Sequence, residues 1–172
     1  MPFLALILAA LRALRLATVL AMALRVVNVG ALFAAATTDV KRRIIPNVIA
    51  LLVFVAGLCL RLATQPRVIW ESVLVGGILY VALVELVHLG LIGGGDAKLA
   101  SAASFLVPAA HVPTLLADIA IAGGVLSVLF FAARHLSIVK RPTLPYGVAI
   151  AAGTIYRLVT EVMPCSGATF CS

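Results

Sequence analysis

Long runs of apolar residues dominate this sequence and decide what it can fold into. The runs break mainly at charged residues and at Pro or Gly, and they predict spans at 16–38, 47–63, 70–91, 97–110, 114–133 and 146–162. A helix that crosses a bilayer needs about 20 apolar residues. The apolar residues do not alternate with period two, as they would in the strands of a membrane barrel. The sequence therefore predicts an all-α, polytopic membrane helical bundle with about six transmembrane helices.

The composition excludes the main classes of soluble protein. Hydrophobic residues make up 64% of the chain and charged residues only 11%, against about 25% charged residues in an ordinary soluble domain. This excludes a cytosolic enzyme, a disulfide-rich secreted module and a domain that binds nucleic acid. The net charge of +7 is better explained by basic loops that face anionic lipid. The predicted partner is thus a lipid bilayer and not a nucleic acid, while the oligomeric state is left open.

Basic residues also predict the orientation. If alternate loops share a side, one side holds Lys41, Arg42, Arg43, Lys98, Arg134, Lys140 and Arg141. The other side holds Arg61, Arg67 and Arg157. Cytoplasmic loops carry the excess of Lys and Arg, so we expect the first side to face the cytoplasm.

The two ends of the chain are set apart from the membrane-embedded domain, which we predict at residues 16–163. In the extension 1–15, the positive charges Arg12 and Arg15 follow the apolar segment, whereas a secretory signal has them first. We prefer an interfacial amphipathic helix for this extension. A membrane span, or a native start at Met22, stays open as an alternative.

The predicted tail, residues 164–172, contains two of the three cysteines, Cys165 and Cys171. A disulfide between them and two free thiols are both open alternatives. No pair of cysteines has the Cys-x-x-Cys spacing, which argues against a tetrathiolate zinc site.

Asp39 and Asp96 are the strongest candidates for chemistry. Each lies at the end of a predicted span on the predicted cytoplasmic side and is followed two residues later by a lysine. Taken singly, Asp96 could be a helix N-cap and Asp39 an interfacial ion-pair partner. A pair of carboxyl groups at one membrane boundary has a more specific use. Because two like charges at close range do not both ionise easily, one member can activate water while the other donates a proton.

The other acids have simpler explanations. Glu85 and His88 form one Glu-x-x-His pair, whereas a di-iron site needs two such pairs and further Glu residues. Asp118 is expected near the start of a helix, where an acid is electrostatically favoured. We therefore predict no metal site and no cofactor.

Two motifs resemble the type IV prepilin peptidases, which are GxGD-type intramembrane aspartyl proteases. The segment Gly93-Gly94-Gly95-Asp96-Ala97-Lys98-Leu99 is similar to the GxGD motif of that family. The segment from Asp39 to Asn47, Asp-Val-Lys-Arg-Arg-Ile-Ile-Pro-Asn, is similar to its first motif. Pro145-Tyr146-Gly147 resembles a third family segment. The resemblance covers roughly residues 16–163.

The resemblance implies an aspartic endopeptidase with Asp39 and Asp96 as its catalytic residues. Residues that would support the site are Gly93, Gly95, Lys41, Lys98, Pro46 and Asn47. The larger family members carry a cytoplasmic domain with paired Cys-x-x-Cys motifs, linked to N-methylation of the product, and this chain has neither. It is more similar to the small, peptidase-only members that serve Flp or tight-adherence pili, and to archaeal preflagellin peptidases.

The implied substrate is a prepilin or pseudopilin precursor with a short basic leader, a glycine at the cleavage point and an apolar helix beyond it. The implied location is the bacterial inner (cytoplasmic) membrane, with the active site facing the cytoplasm. A rival hypothesis is a small proton- or ion-coupled transporter, whose intramembrane acids would lie near the middle of the bilayer. A third is a non-catalytic assembly subunit of a secretion system.

Overall fold

The computed structural model describes the backbone of residues 2–135 and 144–162, and the side chains of residues 15–135 and 144–161. These residues form six α-helices: α1 (Pro2–Arg42), α2 (Asn47–Thr64), α3 (Ile69–His88), α4 (Gly94–Ser104), α5 (Val112–His135) and α6 (Tyr146–Val162). Short 3₁₀ turns at Pro66–Val68 and Ala109–His111 precede α3 and α5. The predicted all-α membrane bundle is confirmed.

Four of the helices are long and apolar enough to cross a bilayer. The corresponding segments are Arg15–Arg42, Asn47–Thr64, Pro66–His88 and Ala109–His135. Much of their surface consists of exposed apolar side chains, and Trp70 and Phe131 are each 74% exposed. In water such a surface would drive aggregation, whereas in a bilayer it faces lipid tails. The chain is therefore a multi-pass membrane protein.

The fourth element differs from its prediction. The predicted span at 97–110 is a helix of 11 residues, α4, that ends at Ser104. At a rise of 1.5 Å per residue it is about 16 Å long, roughly half the thickness of the hydrocarbon layer. Residues 99–107 are all buried, and α4 packs against α2, α3 and α6. The apolar residues after Ser104 form a buried turn, since Pro108 disfavours helix in the residue before it.

The N-terminal extension belongs to the same helix as the first predicted span. The helix α1 runs without a break from Pro2 to Arg42, so residues 2–15 continue the helix of the first span. Their predicted place at the membrane interface stays a prediction, as do the domain boundaries at 16 and 163.

Two buried hydroxyl groups form their hydrogen bonds within their own helices. Ser104 Oγ donates to the Ser101 carbonyl at 2.7 Å, and Thr154 Oγ1 donates to the Ile150 carbonyl at 2.6 Å. Such back-bonding is needed where no water is present to hydrogen-bond a buried hydroxyl group. Their small side chains let α4 and α6 come close to their neighbours, as is usual for helices packed in membranes.

Candidate active site

Asp39 lies in the last turn of α1 and faces the interior of the bundle. Its side chain is almost wholly buried, with 7% exposure. The helix ends just beyond it, because Arg43 adopts a left-handed conformation with φ of 56° and donates its backbone N–H to the Asp39 carbonyl at 2.9 Å. A left-handed residue that closes such a bond is a common way to end a helix. The first motif therefore places its acid on a helix and its Ile-Pro-Asn segment on the loop that follows.

The first turn of α6 holds the side chain of Asp39. The backbone N–H of Gly147 donates to Asp39 Oδ2 at 2.8 Å, although the two residues are 108 positions apart. A Cβ atom at Gly147 would lie 2.9 Å from Oδ2 and 3.1 Å from the Asp39 Cβ, which is closer than ordinary packing allows. Unpaired N–H groups at a helix N-terminus attract anions. The N-terminus of α6 thus forms a binding site for this carboxylate.

Asp96 is the third residue of α4, in its first turn. The N-cap position belongs to Gly93, so the simple reading of Asp96 as an N-cap is wrong. Its carboxylate folds back towards that position, and a Cβ atom at Gly93 would lie 2.9 Å from Asp96 Oδ2. The geometry resembles the acid of a capping box, which reaches back to the N-cap backbone. Any residue larger than glycine at this position would displace the carboxylate.

Burial and the neighbouring acid together raise the pKa of Asp96 to about 6. Partial burial has the larger effect, and the negative charge of Asp39 adds to it. The backbone N–H of Gly93 acts in the opposite direction. The effect of Asp39 on this pKa means that the two acids, 57 positions apart in the sequence, lie near enough to influence each other's protonation.

The two motifs also touch through their supporting residues. Lys98 Nζ donates to Asn47 Oδ1 at 3.0 Å, which ties α4 to the start of α2. A Cβ atom at Gly95 would lie 3.2 Å from the Ile45 Cβ atom, so the loop packs closely on the start of α4. Pro46 occupies the N-cap position of α2.

The two lysines do not approach the acids in the way their spacing first suggests. Lys41 is exposed, and Lys98 bonds to Asn47. Neither acid forms a salt bridge with a described residue. The reason is geometric, because residues two apart on a helix point to different faces.

We call this part of the bundle the acid end, defined by Asp39, Asn47, Asp96, Lys98 and Gly147. An apolar groove of about 560 Å³ lies between α2, α3 and α4 next to it, and Asn47 and Lys98 form its polar end. Neither Asp39 nor Asp96 lines this groove. Asp39 instead contacts the first turn of α6 through Gly147.

The opposite end of the bundle carries the two described salt bridges. We call it the ion-pair end, defined by Arg61, His111, Asp118, Arg157 and Glu161. Arg157 Nη2 lies 2.6 Å from Asp118 Oδ2, and His111 Nδ1 lies 3.1 Å from Glu161 Oε1. The first pair joins the start of α5 to α6, and the second joins the 3₁₀ turn before α5 to the end of α6. Asp118 and Glu161 thus have structural partners instead of a position beside the two candidate acids.

The chain matches the model of the type IV leader peptidase family over residues 26–128. This match covers more than half of the sequence. The chain belongs to the type IV leader peptidase family. The prepilin leader peptidase/N-methyltransferase of Bacillus subtilis (strain 168) is 33% identical to it over 135 residues, which is 76% of this chain and 52% of that protein. The chain therefore spans about half the length of this curated relative. No significant match was found among the solved structures.

The family match contains both acids but ends before Gly147. Among the residues suggested by sequence, the structure brings Asp39 and Asp96 to one end, with Gly93 and Gly95 against the start of α4. It leaves Lys41 apart from the pair.

Gly147 was noticed in the sequence only as part of the Pro-Tyr-Gly segment and was not predicted as a site residue. A glycine that opens a helix after a proline is a local signal of a close backbone approach. Nothing local in the sequence indicates that the group approaching it is the side chain of Asp39.

The Glu-x-x-His pair and the two cysteines of the tail are the remaining groups singled out in the sequence. Glu85 and His88 are both exposed at the end of α3, and no group of three or more potential metal ligands occurs in the described part of the chain. Cys165 and Cys171 lie outside the described residues.

Proposed function

We propose that this protein is a membrane aspartyl endopeptidase that removes the short basic leader from type IV, Flp-like prepilins. Asp39 and Asp96 act as a catalytic pair on one water molecule at the cytoplasmic face of the membrane. Membership of the type IV leader peptidase family supports a leader peptidase activity, and the similarity to the prepilin leader peptidase/N-methyltransferase of Bacillus subtilis points to prepilins as substrates.

The observation that carries this proposal is that the two motifs meet at one end of the bundle. Lys98 of one motif donates to Asn47 of the other at 3.0 Å, and Asp39 lies near enough to raise the pKa of Asp96. Two acids from motifs 57 residues apart come together at helix ends, and the hydrogen bond described for Asp39 comes from a backbone N–H in another helix. Placing like charges together costs stability, and such costs are typical of functional sites. A structural role would be better served by an ion pair of the kind that Asp118 forms with Arg157.

The reaction uses one shared proton. The ionised acid takes a proton from water as the water oxygen bonds to the carbonyl carbon of the scissile amide, and the protonated acid donates its proton to the carbonyl oxygen. Collapse of the tetrahedral intermediate breaks the C–N bond, and a proton passes to the departing amine. The products are a free carboxyl group on the leader and a free amino group on the pilin, and the pair again holds one proton.

The position of the acids favours a peptidase over a transporter. Asp39 lies in the last turn of α1 and Asp96 in the first turn of α4, so both lie at the end of a helix. A transporter acid would be expected near the middle of a span. The scissile bond of a prepilin lies where its leader meets its apolar helix, which would place it at the same membrane boundary.

Charge distribution supports the cytoplasmic orientation. Lys41, Arg42, Lys98 and Arg134 are exposed at or near the acid end. At the ion-pair end Arg61 is buried and Arg157 is held by Asp118. By the positive-inside rule, the acid end faces the cytoplasm of the bacterial inner membrane.

The test is cleavage of a purified precursor in detergent micelles. The precursor carries a short basic leader, a glycine and an apolar helix, and mass spectrometry measures the release of the leader. We expect cleavage by the wild type and a loss of at least about 100-fold in Asp39→Asn and in Asp96→Asn, since each removes a proton-transfer group.

Asp118→Asn is the matched control, because it changes an acid of the same type at the ion-pair end. It is expected to retain cleavage within about twofold, as surface and structural substitutions away from a site usually do. Cleavage near the wild-type level in either Asp39→Asn or Asp96→Asn would reject the catalytic pair. A precursor with a longer type IV leader, assayed in parallel, tests whether Flp-like leaders are preferred.

A further inference from the structure

The two acids receive unequal support from the backbone around them. Asp39 is 7% exposed and accepts a 2.8 Å hydrogen bond from the N–H of Gly147 in a different helix. Asp96 is only half-buried, and the backbone that it faces belongs to the start of its own helix. One acid is therefore fixed from outside its own helix, while the other has a more open position.

We propose that the N-terminus of α6 divides the labour of the pair, with Gly147 holding Asp39 as the ionised member and leaving Asp96 as the proton donor. This inference rests on the proposed peptidase function. Gly147 acts through Asp39, so it is a positioning residue and not a catalytic one.

The first argument concerns the hydrogen bond. A backbone N–H is a donor only, and it interacts more strongly with a charged carboxylate oxygen than with a neutral one. Gly147 is the second residue of α6, so its N–H has no partner within that helix. The partial positive charge at the helix N-terminus acts in the same direction. Both contacts suit a carboxylate oxygen as the acceptor, and Asp39 Oδ2 fills this position at a hydrogen-bonding distance of 2.8 Å.

The second argument concerns space. A Cβ atom at Gly147 would lie 2.9 Å from Asp39 Oδ2 and 3.1 Å from Asp39 Cγ. The carboxylate and the backbone of α6 are thus in direct contact on this side, which leaves Oδ1 as the carboxylate oxygen that Gly147 does not hold. This contact fixes the orientation of the group that would activate water.

The third argument concerns Asp96. The raised pKa of about 6 favours a protonated Asp96 while Asp39 is charged. Other titratable groups of the described acid end are Lys41, Arg42, Arg43, Glu85, His88, Lys98 and Tyr146. Of the two lysines, Lys41 is exposed and Lys98 donates to Asn47.

The experiment compares Gly147→Ala and Gly147→Pro. Alanine adds the Cβ atom but retains the N–H, whereas proline adds bulk and also removes the N–H. Proline is tolerated in the first turn of a helix, so the helix itself is expected to form. We would measure kcat and KM for the precursor over a range of pH, together with the thermal unfolding of each variant.

We expect Gly147→Ala to lower kcat by about 100-fold, because a displacement of about 1 Å in a reacting group has that effect. KM should stay within about twofold. Gly147→Pro should lower kcat further and move the acidic limb of its pH profile towards neutral pH, since the ionised carboxylate loses its donor.

Two glycine variants serve as controls. A Cβ atom at Gly153, in the same helix, would lie 2.7 Å from the backbone of Ile119, so Gly153→Ala should lower thermal stability but leave the pH profile unchanged. A Cβ atom at Gly124 meets nothing within 4 Å, so Gly124→Ala should behave as the wild type.

The inference is overturned if folded Gly147→Pro keeps the wild-type kcat and pH profile, or if Gly153→Ala shifts the profile equally. Should Gly147→Pro fail to fold, an unchanged kcat in Gly147→Ala overturns it. If Asp39→Asn and Asp96→Asn are inactive while the Gly147 variants are normal, only this inference fails. If Asp39→Asn or Asp96→Asn cleaves normally, the proposed function fails as well.

Discussion

The acid end and the ion-pair end contain similar acids in opposite surroundings. At the ion-pair end, Asp118 contacts Arg157 at 2.6 Å and Glu161 contacts His111 at 3.1 Å. At the acid end, Asp39 and Asp96 influence each other and face backbone N–H groups. An ion pair stabilises a fold, whereas two acids held together do not. This difference is the one that the proposed function requires, since a catalytic pair needs acids that are not neutralised by ion pairs.

The helix α4 shows the same contrast along a single element. Asp96 lies in its first turn. At its other end, Arg61 Nε donates to the Phe105 carbonyl at 3.2 Å, and Nη2 donates to the Leu106 carbonyl at 2.6 Å. Arginine at a helix C-terminus satisfies carbonyl groups that have no partner in the helix. The arginine anchors the short helix, and this anchoring keeps Asp96 in place.

The largest effect should separate activity from stability at the acid end. We predict that Asp96→Asn lowers cleavage by about 1000-fold, since a general acid contributes 10²–10⁴-fold. The free energy of unfolding should not fall, because the amide has the same shape and no longer places a charge beside Asp39. Cleavage assays and denaturant unfolding in detergent measure the two quantities. A large loss of stability together with activity would contradict a purely chemical role.

The next effect concerns the anchor of α4. We predict that Arg61→Ala lowers the free energy of unfolding by about 3 kcal/mol, because it leaves buried carbonyl groups without donors. Arg61→Met is the matched variant, since it keeps most of the apolar packing but none of the donors. Equal stability of Arg61→Met and the wild type would show that packing, and not hydrogen bonding, holds this end of α4.

A smaller effect is expected for the ion pair between α5 and α6. We predict a coupling free energy of about 1 kcal/mol between Asp118 and Arg157, since the side chains remain partly exposed and solvent weakens their attraction. The variants Asp118→Asn and Arg157→Gln and their combination give this value from a double-mutant cycle. Cleavage by the folded fraction should be unchanged in all three. A loss of cleavage per folded molecule would mean that the two ends are not independent.

The smallest effect is a dependence of stability on pH. The pKa of Asp96 is raised to about 6 in the folded protein, so the folded state binds more protons than the unfolded state between about pH 4 and 6. The contribution of Asp96 is therefore fully present at low pH and is lost as the pH rises through about 6. We predict that the melting temperature of the wild type, relative to that of Asp96→Asn, falls by a few degrees over this interval. Parallel curves would contradict the raised pKa.

Much of the fold could be predicted because apolar runs report helices directly. The predicted spans at 47–63 and 146–162 agree closely with α2, Asn47–Thr64, and α6, Tyr146–Val162. The predicted span at 97–110 failed since hydropathy does not distinguish a spanning helix from a short buried helix followed by a buried turn. Helix α4 ends at Ser104, and the apolar residues after it form the buried turn.

The candidate site was predictable in its acids but not in its backbone partners. Asp39 and Asp96 stand out because charged residues are rare in apolar sequence. The bond from Gly147 to Asp39 spans 108 positions and uses an N–H that every residue except proline possesses. The bond from Lys98 to Asn47 was also missed, since the sequence shows the lysine only as a near neighbour of Asp96 and gives no sign of a contact with the start of α2.

The account depends most on the two carboxyl groups working as one unit. The direct measurement is the rate of precursor cleavage by Asp39→Asn, Asp96→Asn and the double variant, each normalised to folded protein. Residues that act together are strongly non-additive, so we predict the same low residual rate in all three proteins. A double variant slower than either single variant by the product of their effects, or a single variant that cleaves at the wild-type rate, would contradict the account.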